Sequence, residues 1–168
     1  MLEERPRNSR SSPYTLASIW MLLYTGCRES EVLTLKWKDV HLEDGYLYLE
    51  DSKVGVRTIA LNSKAKQILN SLKKKEDNPY VFCGKFPRTH LKEIKTTWRQ
   101  VRHLAGIPDV RIHDLRHSFA SFALKKGVDL YTVSKLLGHK NIATTTRYAH
   151  LELEHLKEAT NKIAEVFG

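Results

Sequence analysis

A single β-hairpin pattern lies among segments whose apolar residues recur at helical spacing. Residues 46–49 and 56–61 are rich in strand-forming side chains, and the turn-prone segment 51–55 separates them. The strand signals are too interrupted to predict an array of alternating parallel strands and helices. The sequence therefore predicts an α+β fold, mainly α, in which one helical domain carries a small antiparallel β-sheet.

Capping signals divide most of the chain into helices. Ser12 before Pro13 can cap a first helix, which Gly26 ends, and a short helix is expected over residues 28–35. A turn or short helix is expected at residues 144–148. Caps, glycine stops and apolar spacing predict the other helices over residues 62–75, 91–105, 114–127, 129–138 and 153–167.

Apolar spacing also predicts which side chains of two helices face the core. In the 91–105 helix these are Ile94, Trp98, Val101 and Leu104. Asp114 is expected to cap the next helix, whose inward residues are Leu115, Phe119, Phe122 and Ala123. Residues 80–82 resemble a short buried strand.

The chain has the length of one domain. Residues 1–11 are polar and aperiodic and hold three arginines, so they are predicted to be a flexible basic arm or linker remnant. Residues 12–168 are predicted to form the domain itself, within the commonest size range. Cys27 and Cys83 have no CxxC spacing, which favours a reduced, cytosolic setting and packed, unreactive thiols.

The balance of charge restricts the class of partner. The chain has 28 Lys and Arg against 19 Asp and Glu, a net charge of +9. Such a basic chain suits an anionic partner such as nucleic acid, although charge alone leaves ribosomal, membrane-surface and DNA roles open. The apolar run at residues 19–24 is far shorter than the roughly 20 residues of a membrane span, so a soluble protein is expected.

Groups suited to phosphate chemistry are concentrated in the last third of the chain. His113 and Arg116 stand three residues apart at a predicted helix start, where unpaired backbone N–H groups also favour an anion. The pair can therefore grip a phosphate, His139 can join it, and the Tyr148 phenol could attack it. Taken alone, an HxxR pair is more often a solvated polar turn.

A zinc site is the competing interpretation of the histidines. His113 and His117 stand four residues apart, a spacing that can hold zinc. However, the residues between them lack the glutamate of the HExxH arrangement, and the guanidinium of Arg116 would oppose a cation. We therefore expect no metal site here.

The motifs gain specificity when they are taken together in chain order. They are TGCRESE at residues 25–31, Lys53, HDLRH at residues 113–117, LLGH at residues 136–139, and Tyr148. This set resembles the catalytic domain of the tyrosine recombinases, the phage-integrase family, over almost all residues after about Ser12. The resemblance implies the DNA breaking-rejoining enzyme fold and site-specific DNA recombination, in which a tyrosine forms a 3′-phosphotyrosyl link and releases a 5′-hydroxyl. No metal, nucleotide or other cofactor is then expected.

The resemblance assigns three residues to holding the phosphate and a fourth to supporting them. Arg28 and Arg116 match the family's two arginines, whose planar, permanently charged forks suit two phosphate oxygens. His139 matches a further hydrogen-bond donor. Glu31 matches an acidic position one turn beyond the first arginine, where a carboxylate can orient that arginine or a neighbouring histidine.

The remaining assignments concern the nucleophile and its protons. Tyr148 matches the nucleophile, and it lies nine residues after His139. His113 matches the residue that assists it, and Lys53 matches the hairpin lysine that protonates the departing 5′ oxygen. His117 matches a frequent family residue whose role could be packing or a hydrogen bond, and it is not assigned to the catalytic set. Aromatic packing better explains the other tyrosines, Tyr14, Tyr24, Tyr46, Tyr48, Tyr80 and Tyr131.

The same resemblance implies the partners. Double-stranded DNA at a recombination site is the expected substrate, with a monomer alone and a tetramer on synapsed DNA in the full-length protein. A cytoplasmic location is expected, at the nucleoid of a prokaryotic or phage-infected cell. Family members usually carry a core-binding domain before the catalytic one, so a fragment or a naturally short protein is expected here, with weak and salt-sensitive DNA binding.

Three alternatives stay open at this point. A type IB topoisomerase shares the tyrosine link but rejoins the same strand after DNA rotation. A DNA-binding module with a relic active site would retain the motifs without the reaction. The last helix, residues 153–167, could pack on this chain's own core or on a neighbouring subunit.

Overall fold

The computed structural model describes residues 12–50, 55–151 and 153–167. Within these ranges the fold is mainly helical with one small sheet, which confirms the predicted α+β class. The helices are α1 Pro13–Thr25, α2 Glu29–Leu33, α3 Ser63–Ser71, α4 Lys95–Leu104, α5 Asp114–Lys125, α6 Leu130–Leu137 and α7 Leu153–Phe167. The strands are β1 Val40–His41, β2 Tyr46–Leu49 and β3 Arg57–Ala60, and short 3₁₀ turns cover Trp37–Asp39, Ile142–Thr144 and Thr146–Leu151.

Helices α1 and α6 start and stop at the predicted signals. The Ser12 hydroxyl accepts a hydrogen bond from the Tyr14 N–H, and the Asp129 carboxylate accepts one from the Thr132 N–H. Gly26 and Gly138 end the two helices in the left-handed conformation. The predicted helix boundaries are confirmed at these sites, and the two glycines lie two residues before Arg28 and one residue before His139.

The sheet is antiparallel in the order β1-β2-β3. Strands β2 and β3 form the predicted hairpin, with Leu47 opposite Ile59. The short first strand, β1, was not predicted. Residues 51–54, which include the hairpin lysine Lys53, lie outside the residues that the structure describes.

Several predicted boundaries are wrong. Helix α2 ends at Leu33 and α3 at Ser71, earlier than expected. Residues 80–82 form no strand, and only isolated bridges, from Tyr80 to Lys36 and from Cys83 to His90, flank this buried segment. Asp114 does not cap α5, because its carboxylate instead accepts hydrogen bonds from Arg111 just before the helix.

Two of the predicted core residues face solvent. Leu104 is 78% exposed and Phe122 is 64% exposed. At about 100° per residue, Phe122 lies about 200° around α5 from the fully buried Ala120, and Leu104 lies about 120° around α4 from Trp98. Both predictions are wrong, because the apolar residues cover a wider arc of each helix than the face that is buried.

Among the described residues, the core consists of two clusters of buried side chains. The larger one joins α1, α2, the sheet, α3 and α4, and it includes both Leu47 and Ile59. The smaller cluster contains Ala120, Leu124, Val133, Leu137 and Tyr148, with Phe119 packed against it. Because its ring belongs to the smaller cluster, Tyr148 is held against α5 and α6.

A membrane span needs a long apolar helix, and the described part of the chain contains none of that kind.

Candidate active site

The structure brings Arg28, Arg116, His139 and Tyr148 to one region. Arg28 precedes α2, Arg116 lies on α5, His139 follows α6, and Tyr148 lies in the last 3₁₀ turn. Burial and, after it, the positive charges of Arg116, Arg28, Arg57 and Arg147 together lower the pKa of His139 to about 4. At neutral pH the His139 imidazole is therefore uncharged, and its Nδ1 lies 2.7 Å from the Thr145 hydroxyl.

Arg116 joins the ends of two helices. Its buried guanidinium donates to the carbonyl oxygen of Gly26 at the end of α1 and, at 2.6 Å, to that of Leu137 at the end of α6. Burial, together with the charges of Arg28 and Arg57, lowers the pKa of Arg116 to about 10. The group still carries its charge at neutral pH, and it is fixed in place by both carbonyls.

The Glu31 carboxylate lies between two arginines. One oxygen accepts from Arg28 Nη1 at 2.9 Å, and the other accepts from Arg57 Nη1 at 2.7 Å and from the Arg28 backbone N–H at 2.8 Å. Burial alone would raise the pKa of Glu31, but these donors outweigh it and hold the pKa below its ordinary value. Glu31 is therefore ionised, and it neutralises part of the charge of Arg28, Arg57 and Arg116.

The Tyr148 hydroxyl has a histidine partner. The Nδ1 atom of His117 is in hydrogen-bond contact with it, and the two ring centroids are 5.9 Å apart. Burial raises the pKa of Tyr148, although Arg147 and Arg116 act in the opposite direction. Burial, with the charges of His113 and Arg147, lowers the pKa of His117. A protonated phenol thus meets a neutral imidazole, the pairing that proton transfer requires.

His113 lies beside this pair, in contact with His117. Its ring meets that of His117 nearly edge-on, with centroids 4.9 Å apart. The described residues contain no group of three or more His, Cys, Asp or Glu side chains placed to hold a metal ion. The structure thus brings together Arg28, Glu31, Arg116, His139 and Tyr148 and sets His113 beside them through His117.

A basic groove lies along α4. Lys95, Arg99 and Arg102 recur at helical spacing on one side of that helix, and Arg111 joins them to line a groove of about 300 Å³. Arg111 is paired with Asp114 at 3.0 Å, which leaves the groove with an excess of positive charge. Such a surface suits the backbone of a nucleic acid.

Comparison with known proteins identifies the family of this chain. The model of the "Phage integrase family" matches residues 2–155 of the chain. The chain belongs to the phage integrase family. Its catalytic-domain fold agrees with that assignment, because solved members superimpose on most of it.

Integrase-family relatives are similar in both sequence and structure. The tyrosine recombinase XerA of Pyrococcus furiosus is 36% identical over 151 residues, which are 86% of this chain and 53% of that protein. The catalytic domain of bacteriophage HP1 integrase superimposes with a TM-score of 0.68 at 26% identity, over 92% of this chain and 84% of that one. XerH bound to palindromic difH, in a post-cleavage complex, gives 0.72 at 26% identity, over 90% of this chain and 47% of that one. The chain thus spans about half the length of the curated relative.

Two residues of this candidate site were not assigned to it from the sequence. His117 was left out of the catalytic set, yet it is the residue that contacts the Tyr148 hydroxyl. Arg57 was not considered, yet it is buried against Glu31. A signal for Arg57 does exist in the sequence: strand alternation places it on the same side of β3 as the core residue Ile59.

Proposed function

We propose that this chain is the DNA-cleaving and DNA-rejoining part of a site-specific tyrosine recombinase. The observation that carries the proposal is the Tyr148 hydroxyl, which contacts His117 beside the buried cation of Arg116. A nucleophile, a proton acceptor and a fixed positive charge are what the attack of a phenol on a phosphodiester needs. The relatives named recombinase or integrase support the same function.

The reaction begins with attack by the Tyr148 oxygen on the phosphorus of a DNA phosphodiester. The phenol proton passes to Nδ1 of His117, while the bond between phosphorus and the 5′ oxygen breaks. Lys53 of the hairpin protonates that oxygen, so the products are a 3′-phosphotyrosyl link and a free 5′-hydroxyl. A 5′-hydroxyl from another strand then reverses the step, without a metal ion or nucleotide, because the covalent link conserves the phosphodiester bond energy.

Charge on the phosphate oxygens is stabilised by Arg28, Arg116 and His139. Arg116 enters the reaction already fixed by two carbonyl groups, so little reorganisation is needed as charge develops. We assign Nδ1 of the neutral His139 imidazole as the acceptor from the Thr145 hydroxyl, which places the ring proton on Nε2, where it can be donated to the phosphate. Glu31 holds Arg28 by an ion pair, and its negative charge offsets the repulsion between Arg28 and Arg57.

The remaining surface is suited to binding double-stranded DNA. The basic groove along α4 contacts the phosphate backbone, and the net charge of +9 draws the chain toward DNA at the nucleoid, in the cytoplasm. The chain is a monomer in solution, and the full-length protein acts as a tetramer on synapsed DNA. Because the similar relatives are named recombinases and integrases, strand exchange is favoured over topoisomerase-like relaxation.

Covalent trapping tests the proposal. The substrate is a pool of labelled duplexes, each with a nick in one strand and a randomised sequence around the nick. Cleavage near the nick releases a short strand, and the loss of that strand prevents religation. The wild-type chain should form a labelled species that survives denaturing gel electrophoresis and whose DNA can then be sequenced. Tyr148→Phe should form none, and Arg28→Ala and Arg116→Ala should form far less. Adduct formation by Tyr148→Phe would exclude Tyr148 as the nucleophile.

A further inference from the structure

Arg57 is a buried cation that the reaction described above does not use. It opens strand β3, and its side chain is 5% exposed. A guanidinium that leaves water needs hydrogen-bond partners to offset its lost hydration. Those partners lie far from Arg57 in the chain: Glu31 is 26 residues before it and Leu136 is 79 residues after it.

The two ends of the Arg57 fork bind two different parts of the site. Nη1 donates to the Glu31 carboxylate at 2.7 Å, and Nη2 donates to the Leu136 carbonyl oxygen at 2.7 Å. The same carboxylate holds Arg28, and Leu136 lies three residues before His139. One planar side chain thus connects the support of Arg28 with the helix end that presents His139.

Close packing on Gly138 fixes this connection further. A Cβ atom on Gly138 would lie only 2.4 Å from Arg57 Nε, so the backbone before His139 rests directly on the guanidinium. Arg57 Nε has no hydrogen-bond partner among the described residues, as expected for an atom covered by that backbone. The contact leaves no room for the turn to approach the sheet more closely.

We propose that Arg57 is a positioning residue that sets the separation of Arg28 and His139 across the bound phosphate. This inference rests on the proposed function, because it assumes that both residues hold the phosphate that Tyr148 attacks. Arg57 acts through Glu31 and through the backbone at Leu136 and Gly138, and it does not contact DNA. A lysine cannot replace it, since a single ammonium group lacks the planar fork that reaches two acceptors on opposite sides.

The charge of Arg57 has a second effect that can be measured without DNA. It is one of the charges that, together with burial, lower the pKa of His139. Arg57→Lys keeps a positive charge near His139, whereas Arg57→Gln removes it. The two variants therefore separate the geometric contribution of Arg57 from the electrostatic one.

The first arm of the test measures cleavage of a duplex selected by covalent trapping, at saturating DNA and below the melting temperature of each variant. Arg57→Lys should bind DNA with nearly wild-type affinity but cleave about 10²-fold more slowly, the scale that a misplacement of about 1 Å costs. Arg88→Lys, the same change at an exposed residue, should cleave at the wild-type rate. A wild-type cleavage rate for folded Arg57→Lys would overturn the proposal.

The second arm follows the His139 imidazole by NMR titration of the free protein. Arg57→Gln should raise the pKa of His139 above the wild-type value of about 4, whereas Arg57→Lys should leave it low. An unchanged pKa in Arg57→Gln would contradict the close placement of Arg57 and His139 on which the proposal rests, even if the wild type formed no DNA adduct. Failure of the proposed function is thereby distinguished from failure of this inference.

Glu31→Gln covers the case in which the Arg57 variants do not fold. The amide keeps the shape of the carboxylate but weakens its hold on Arg57 and Arg28. It should reproduce the slow cleavage with little change in DNA affinity. Wild-type cleavage by folded Glu31→Gln would show that the connection through Arg57 does not position the phosphate site.

Discussion

The Nδ1 atom of His117 contacts the hydroxyl of Tyr148, a residue 31 positions later in the chain. The contact joins the first turns of α5 to the 3₁₀ turn that closes the smaller core cluster. Because the pKa of Tyr148 is raised and that of His117 is lowered, the proton rests on the phenol at neutral pH. Of the two histidines in the HDLRH motif, the geometry favours His117 as the proton acceptor.

Replacing His117 should slow cleavage more than replacing His113. His117→Asn removes the acceptor, and general-base catalysis typically contributes about 10²–10⁴-fold, so a rate loss on that scale is expected in single-turnover cleavage. The wild-type rate should rise as pH increases through the lowered pKa of His117 and then level off. In His117→Asn the rise should move to higher pH, because Tyr148 must then ionise without help and its pKa is raised.

His113→Asn is the matched control for this prediction. Its ring packs edge-on against His117 and makes no described contact with the Tyr148 hydroxyl, so a smaller rate loss is expected. The pH profile should keep its shape and shift slightly to higher pH, because the charge of His113 helps to lower the pKa of His117. The opposite ranking of the two variants would assign proton transfer to His113, as the family resemblance implies.

Gly138→Ala should destabilise the protein more than Gly106→Ala. Both glycines have a positive φ, 64° and 69°, so each alanine carries a left-handed backbone penalty of roughly 1–2 kcal/mol. Only at Gly138 would the new Cβ collide with Arg57; at Gly106 nothing lies within 4 Å. The free energy of unfolding in urea should therefore fall further for Gly138→Ala. Equal losses would mean that the guanidinium can move aside at no cost.

Local chemistry made much of the fold predictable. Ser12, Asp129 and the two helix-ending glycines act within a few residues of themselves, so their effect can be inferred from the sequence. The exposure of Leu104 and Phe122 could not be inferred in this way, because the width of the buried face depends on which elements pack against each helix. Residues 51–54 and the flexible arm predicted over residues 1–11 lie outside the described residues, so those expectations remain predictions.

Part of the site could also be predicted, because its motifs are local sequence patterns. The family motifs located Arg28, Arg116, His139 and Tyr148, and the structure brings these residues together. The Arg57 contact with Leu136 spans 79 residues, and the distance between the two cannot be read from any local pattern. Strand alternation does place Arg57 on the inward face, and a charged residue at such a position indicates a buried partner.

His139 should make the protein less stable in mild acid. Its pKa is about 4 in the folded chain, against an ordinary value of 6.5, so the unfolded state binds more protons between these pH values. The resulting stabilisation is complete above about pH 6.5 and is lost as pH falls toward 4, by at most about 1.4 kcal/mol per pH unit for one proton.

His139→Gln removes this titration and tests its size. The free energy of unfolding, measured in urea at pH 7 and at pH 5, should fall less for His139→Gln than for the wild type. His117 also has a lowered pKa, so His117→Asn should change the acid sensitivity in the same direction. Parallel pH dependences for wild type and His139→Gln would show that His139 titrates normally.

The basic groove along α4 should contribute to the salt dependence of DNA binding. Each phosphate contact adds about 0.9 to the slope of log affinity against log salt concentration, so Arg99→Gln should reduce that slope by about 0.9. The effect should appear on a duplex of arbitrary sequence, because a phosphate contact does not depend on the bases. Fluorescence anisotropy titrations over a range of salt concentrations measure it.

Lys64→Gln removes the same charge from an exposed position on α3, away from the groove. Its slope should equal that of the wild type, since a change in net charge alone releases no bound counterion at the contact surface. If Arg99→Gln and Lys64→Gln weaken binding equally and with the same slope, the net charge of the chain rather than the α4 groove attracts DNA. A loss confined to Arg99→Gln would place the DNA backbone along α4, on the helix that precedes the HDLRH motif.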